Sequence, residues 1–192
     1  MSSIFIIISS LLALISPLIY AWAIFKGEAK PHRTTRLVLL LITSLATASL
    51  LAQHNTVAIW LAGVSTLQSI FIFILSIKRG MGGWAKIDVF CLIIALSGIV
   101  LWQTTKEPTL ALYASIAADF TGMIPALIKT YRYPQTEIWA FYLLDVFAAL
   151  FNIFAIKIWT VQQFSYPLYL VIINFAMVIL VIRPTILKNY KL

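Results

Sequence analysis

DFTGMIPALIKTYRYPQTEI, residues 119–138, lies over SPLIYAWAIFKGEAKPHRTT, residues 16–35, without a gap when residue n is set against n+103. Pro134 falls on Pro31, Lys129 on Lys26 and Ala126 on Ala23. In both stretches an apolar run passes into a basic, proline-containing loop and then into a second apolar run. Apolar segments resemble one another whatever their history, so the matched loop, with its lysine and its proline, is what points to a duplication.

Outward from these stretches, the whole chain has the composition of a membrane protein. Its 192 residues are 62% hydrophobic and 10% charged, which is too little polar surface to cover a water-soluble globule. Apolar runs at residues 4–25, 37–53, 57–77, 87–104, 109–128, 138–159 and 165–182 are close to the roughly 20 residues that a spanning helix needs. The expected fold is all-α, an integral membrane protein of seven transmembrane helices. Residues 1–80 form a first three-helix repeat, residues 81–108 hold a connector helix, and residues 109–192 form the second repeat. The third spans align after a small insertion in the loop before them. One span inserted between two three-span units lets both enter the membrane with the same orientation, as parallel repeats about an axis normal to the bilayer. Short loops lead sequential neighbours to be expected side by side within each unit.

Charge placement gives this arrangement a direction. With the N-terminus outside, Lys26, Lys30, Arg33, Arg36, Lys78, Arg79, Lys86, Lys129, Arg132, Arg183, Lys188 and Lys191 fall on the cytoplasmic side, 12 of the 14 basic residues, leaving only Lys106 and Lys157 outside. Basic residues beside spans resist translocation, so the expected protein sits in a cell membrane, of the bacterial inner-membrane kind, with its N-terminus outside and its C-terminus in the cytoplasm. The net charge of +8 is read as topology and not as nucleic-acid binding. Ala21, Trp22 and Ala23 mimic a signal-peptidase site, but no Lys or Arg precedes the first run and it is too long for a signal core, so it stays a span. No soluble catalytic domain fits between the spans. They hold no Ser-His pair, metal-ligand cluster or nucleophile motif, so neither an enzyme nor a cofactor nor a metal is expected. Cys91, the one cysteine, cannot form an internal disulfide, and this topology puts His32 and His54 on opposite sides of the membrane.

Polar residues at membrane depth are the candidates for function. An ionised carboxylate in hydrocarbon costs about 2.5–3.5 kcal/mol on insertion scales, so Asp119, near the middle of its span, and Asp145, a third of the way along its own, should face a cavity or a partner. Either they take and release a proton, or they lock packing through a hydrogen bond between helices. Asp88, close to Lys86 at a span end, reads as an interfacial anchor. On the sixth span Tyr142, Asp145, Ala149 and Asn152 recur at three- and four-residue steps and share a face, as do Ser115, Asp119 and Gly122 on the fifth. Gln68 lies ten residues before Lys78 and Asn174 nine before Arg183, which puts them at similar depth. The candidate substrate-binding residues are therefore Gln68, Asp119, Tyr142, Asp145, Asn152 and Asn174, with Asp119 and Asp145 as proton-coupling groups. For Gln68, with Ser65 and Ser69, hydrogen bonding between helices is the competing reading. Pro17, Pro125 and Pro167 fall within spans and each removes a backbone donor, which makes either a hinge or a static kink. Trp84, Trp102, Trp139 and Trp159 lie near span ends, where an aromatic belt accounts for them.

A proline in the inner half of a repeat's first span, a lysine four residues on and a basic loop leading to a threonine, here Pro125, Lys129, Arg132 and Thr136, are similar to the PQ-loop motif. With its three-one-three arrangement the chain resembles the PQ-loop and SWEET-like superfamily, which includes sugar facilitators, proton-coupled amino-acid exporters of the cystinosin kind and the KDEL receptor. The segment TEIW followed by LLD, ending at Asp145, is similar to the cystinosin branch, where an acidic residue sits in the sixth span. Ala126 stands where the motif has Gln, and Trp22 where the first repeat would have its Pro. The resemblance implies a substrate-binding Asn pair on the third and seventh spans; Asn174 matches it and Gln68 is a conservative departure. It implies a transporter of a small polar solute working by alternating access, coupled to protons through Asp119 or Asp145. The alternatives are a receptor or sorting protein that binds a small ligand or peptide in the same cavity without moving it, and a packing subunit of a larger complex. The expected partners are the lipid bilayer and a small polar solute, with a homo-oligomer left open.

Overall fold

The structure, a computed structural model, describes residues 2–52, 58–104, 108–156 and 161–189. These form the helices α1 (Ser2–Lys26), α2 (Arg33–Ala52), α3 (Ala58–Arg79), α4 (Lys86–Thr104), α5 (Pro108–Arg132), α6 (Trp139–Ala155) and α7 (Val161–Asn189), with a 3₁₀ turn at Pro134–Thr136 before α6. The described residues are thus all-helical.

The helices do not end where the apolar runs end. α2 begins at Arg33, ahead of its apolar run at residue 37; α5 continues through Lys129 to Arg132; α7 runs through Arg183 and Pro184 to Asn189. Arg and Lys are good helix formers, so the helical backbone extends past the point where hydropathy falls. α6 stops sooner than its apolar run, because Ile156 turns to extended backbone at φ −64°, ψ 122°. Pro17, Pro125 and Pro167 are all interior to helices.

Packing order departs from the chain order that short loops suggested. α3 touches both α1 and α2, and α7 touches both α5 and α6, while among the described residues α1 does not pack on α2, nor α5 on α6. The loops show why. Residues 27–32 do not form a tight hairpin but are drawn sideways: the Lys30 amide donates to the Thr136 carbonyl at 2.8 Å, the Met81 amide to the Pro31 carbonyl at 3.0 Å, and the Arg33 amide to the Met81 carbonyl at 3.3 Å. Three loops are stitched together at one end of the bundle, the end that carries most of the basic residues. The crossing is tight at Gly80, where a Cβ would sit 2.3 Å from the Ser76 carbonyl oxygen and 2.6 Å from that of Pro31, so no larger residue fits.

Between the two triplets, α1 packs on α6 and α2 on α5, and α4 lies against α5 and α2. Shifting α1, α2 and α3 by 103 residues brings them over α5, α6 and α7, and turns the α1–α6 contact into the α5–α2 contact. At Gly122 a Cβ would meet Val38 Cγ1 at 2.5 Å, so α2 and α5 approach as closely as a small residue allows. The core, with Tyr20, Ile24, Leu75, Tyr142 and Met177, sits where α1, α3, α6 and α7 meet.

The outer surface is apolar. Leu18, Trp22, Leu67, Phe90, Val100, Phe154 and Ile172 are each at least 60% exposed. Exposed apolar area on this scale marks a surface that something other than water covers. Two helical stretches, Ile4–Lys26 and Phe164–Ile186, are long and apolar enough to cross a membrane, and Trp139–Ala155 is apolar but shorter. An all-helical chain with these stretches is compatible with a membrane protein.

Candidate functional site

α1 runs toward the basic end and α6 starts from it, so their residues meet in descending and ascending order. Nearest the basic end Tyr20 stacks on Phe141, with ring centroids 4.3 Å apart, and meets Tyr142 edge-on at 6.4 Å. One turn farther the Ser16 hydroxyl donates a hydrogen bond to the Asp145 carboxylate. At the far end Phe5 lies 6.1 Å from both Phe151 and Phe154. At 1.5 Å per residue Asp145 is about 9 Å along α6 from its first residue, well inside the bundle.

Two cavities open on either side of Asp145. A smaller one of about 190 Å³ is walled by Ser16, Pro17, Arg36, Gln68, Phe141 and Asp145. A larger one of about 340 Å³ is walled by Ser9, Asp145, Asn152, Tyr166, Pro167 and Asn174. Ala13 and Asp145 belong to both walls. Gln68 therefore lines the smaller space, Asn152 and Asn174 the larger, and Asp145 both. Asn174 is partly committed, since its amide nitrogen donates to the Leu170 carbonyl at 2.9 Å.

Asp119 and Tyr142 are on neither wall. Asp119 is buried and accepts a hydrogen bond from the Tyr169 hydroxyl. Tyr169 in turn lies beside Tyr166, ring centroids 6.2 Å apart, and Tyr166 lines the larger cavity. The Tyr142 hydroxyl turns toward the basic end, where it donates to Glu137. Pro125 is fully buried on α5, and also off both walls, whereas Pro17 and Pro167 are on them. His54, Lys106, Lys157 and Trp159 lie outside the described residues.

The strongest polar cluster is one that the apolar pattern did not reveal. The 3₁₀ turn begun by Pro134 delivers Glu137 inward just before α6 starts. Glu137 Oε2 accepts hydrogen bonds from Tyr20 at 2.8 Å and Tyr142 at 3.0 Å, and Oε1 accepts one from Lys129 Nζ. Lys129 Nζ also donates to the Lys30 carbonyl at 2.5 Å and the Thr136 carbonyl at 3.3 Å. Both members of this ion pair are only 5% exposed. The pair joins the end of α5 to the start of α6 and pins the first loop to both. Arg36 stands beside it, its guanidinium carbon 4.7 Å from the Tyr20 ring centroid and 5.4 Å from that of Phe141, and it reaches the wall of the smaller cavity. Sequence signals for these residues exist: Glu137 is an acidic residue in an otherwise basic loop, and Arg36 lies one helical turn after Arg33.

Asp88 is more than an interfacial anchor. It is buried, it accepts hydrogen bonds from the Gly83 and Ala85 amides at 3.1 Å each, and its other oxygen lies 3.5 Å from His32 Nε2. It thus caps the start of α4 and ties the loop before it to the first loop. Burial pushes the His32 imidazole down to about 4, against the opposing attraction of Asp88.

Two half-open cavities between helices of both triplets thus carry a cation, a carboxylate and three amides, of which Asn152 is exposed, an arrangement that can hold a small polar molecule. Comparison with models of known families, with characterised proteins and with solved structures returned no match.

Proposed function

We propose that the chain is a seven-span membrane protein of the PQ-loop and SWEET-like kind, and that it moves a small polar solute across the bilayer by alternating access. The observation that carries this reading is Asp145, a carboxylate inside a helical bundle that separates two cavities and shares their walls with Gln68, Asn152 and Asn174. Polar groups lining a cavity between repeats are what a solute needs in exchange for the water it leaves. The matching of α1–α6 with α5–α2 under the 103-residue shift supports two parallel repeats, with α4 as their connector. The exposed apolar side chains support a bilayer around the bundle.

The rest of the arrangement reads as a gate. Lys129, Glu137 and the stitched loops close the basic end, which the charge bias assigns to the cytoplasm. Opening that end requires Glu137 to release Lys129 and the two tyrosines, while Pro17 and Pro167, at the level of the cavities, let α1 and α7 bend. Asp145 is the group that takes and gives the proton, since it meets the cavities directly; Asp119 communicates with the larger one through Tyr169 and Tyr166.

Counterflow in liposomes tests this. Purified protein, reconstituted with labelled neutral, cationic and anionic solutes, should exchange one class, and Asp145→Asn should lose the pH dependence of that exchange. Binding without exchange would instead assign the chain to the receptor class, and neither binding nor exchange would leave it a packing subunit.

A further inference from the structure

We propose that the smaller cavity is an anion site, in which the guanidinium of Arg36 takes the carboxylate of a small organic acid; this rests on reading the cavities as the place where the solute binds. The arginines of the bundle differ in what they hold. Arg33 donates to the Ser76 and Gly82 carbonyls, Arg79 to the Ile24 and Phe25 carbonyls, and Arg183 to the Tyr131 carbonyl. The buried lysine, Lys129, has Glu137. For Arg36 no carboxylate lies within 4.0 Å among the described residues, and its buried Nε has no hydrogen-bond partner. Its polar neighbours are Tyr20, whose hydroxyl oxygen accepts from it, Tyr142, Glu137 and, on the same cavity wall, Asp145; both tyrosine hydroxyls donate to Glu137, which itself faces Lys129.

The cation is therefore held by two aromatic faces on one side and turned to the half-open smaller cavity on the other. Around that space α1 contributes Ser16, α3 contributes Gln68 and Ser69, and α6 contributes Asp145, whose carboxylate accepts the Ser16 hydroxyl. A guanidinium inside a bundle with no carboxylate in ion-pair contact is unfavourable, and an incoming carboxylate answers it best, since two oxygens meet the planar fork of two N–H groups. A neutral solute would satisfy hydrogen bonds and leave the charge uncompensated. A cationic solute would be drawn to Asp145 and repelled by Arg36. An ionised Asp145 on the same wall would repel the acid, which therefore enters with Asp145 protonated, and a hydroxyl on the acid can then donate to the Asp145 carbonyl oxygen or to Gln68 across the cavity, which favours a short hydroxy acid. The volume of about 190 Å³ limits the acid to a few carbons.

The test uses the whole protein in lipid nanodiscs at pH 7 and four acids of increasing length, acetate, lactate, succinate and glutarate, with glycerol and ethanolamine as neutral and cationic controls. Lactate is expected to bind with glycerol and ethanolamine silent, and Arg36→Gln to weaken binding by roughly tenfold or more, with Arg36→Lys intermediate because it keeps the charge and loses the fork. Because Arg36→Gln could disturb the Tyr20–Phe141 stack, the native protein is also treated with phenylglyoxal. Lactate should slow modification of Arg36, read by peptide mass spectrometry, and glycerol should not. If none of the four acids binds, if glycerol matches lactate, or if lactate leaves the Arg36 modification rate unchanged, the proposal is overturned. In that event counterflow of a neutral or cationic solute would leave the transport reading standing, whereas its absence for every class would remove both.

Discussion

Glu137→Gln keeps the length and shape of the side chain and removes its charge. In the native protein the carboxylate receives three donors, Tyr20 and Tyr142 on one oxygen and Lys129 on the other, and is only 5% exposed. The amide would leave Lys129 buried without its counter-ion, and removing one partner of a buried pair costs about 3–5 kcal/mol. Lys129 keeps its bonds to the Lys30 and Thr136 carbonyls, which places the loss near the lower end, about 3 kcal/mol. Unfolding in mixed micelles, by titration with sodium dodecyl sulfate and far-ultraviolet circular dichroism, measures it. A double-mutant cycle with Lys129→Met isolates the pair: the double variant should be less destabilised than the sum of the singles by about 2 kcal/mol, because neither charge is then left alone. A Glu137→Gln protein within about 0.5 kcal/mol of the parent, or a strictly additive cycle, would refute the description of this cluster as the latch of the basic end.

Acid should weaken the same end through His32. Its folded value of about 4 lies below the ordinary 6.5, so the unfolded chain binds the proton first and stability, full above pH 6.5, declines as pH falls toward 4. His32→Gln should flatten that decline in thermal midpoints taken between pH 7.5 and 5, and an unaltered slope would assign it to other groups. Asp119→Asn retains an acceptor for the Tyr169 hydroxyl and should fold with its solute exchange intact, whereas Asp145→Asn should fold and lose the pH dependence of exchange; the reverse outcome would move proton coupling to Asp119. For topology, cysteine at the exposed Ala85 should be shielded from an impermeant thiol reagent in intact cells and cysteine at Asn55 should react, with the opposite pattern ending the orientation proposed.

Much of the helical layout was legible because hydropathy reports where a chain meets an apolar surroundings. It does not report where a helix stops, which is why Arg36, counted among loop charges, turns out to lie one turn inside α2 and at a cavity wall. Helical periodicity grouped Tyr142, Asp145, Ala149 and Asn152 on one face. The last three line the larger cavity, but Tyr142 sits one turn nearer the basic end, where the Glu137 carboxylate captures its hydroxyl. Nothing in the spacing of a loop residue announces such a capture. It depends on the 3₁₀ turn at Pro134 and on a first loop pulled across to Thr136. The same sideways pull separates α1 from α2, so loop length alone misjudged which helices are neighbours.

Alternating access requires that the cavity around Gln68 and Asp145 be reached from each face of the membrane in turn. Gln68→Cys in a Cys91→Ala background, tested in right-side-out and inside-out vesicles with an impermeant methanethiosulfonate, measures that reach directly. Reaction is expected from both faces, with Lys129→Met, which removes the ion pair to Glu137, raising the rate from the basic face. Reaction from neither face would contradict it, because a sealed Gln68 lines no path for a solute.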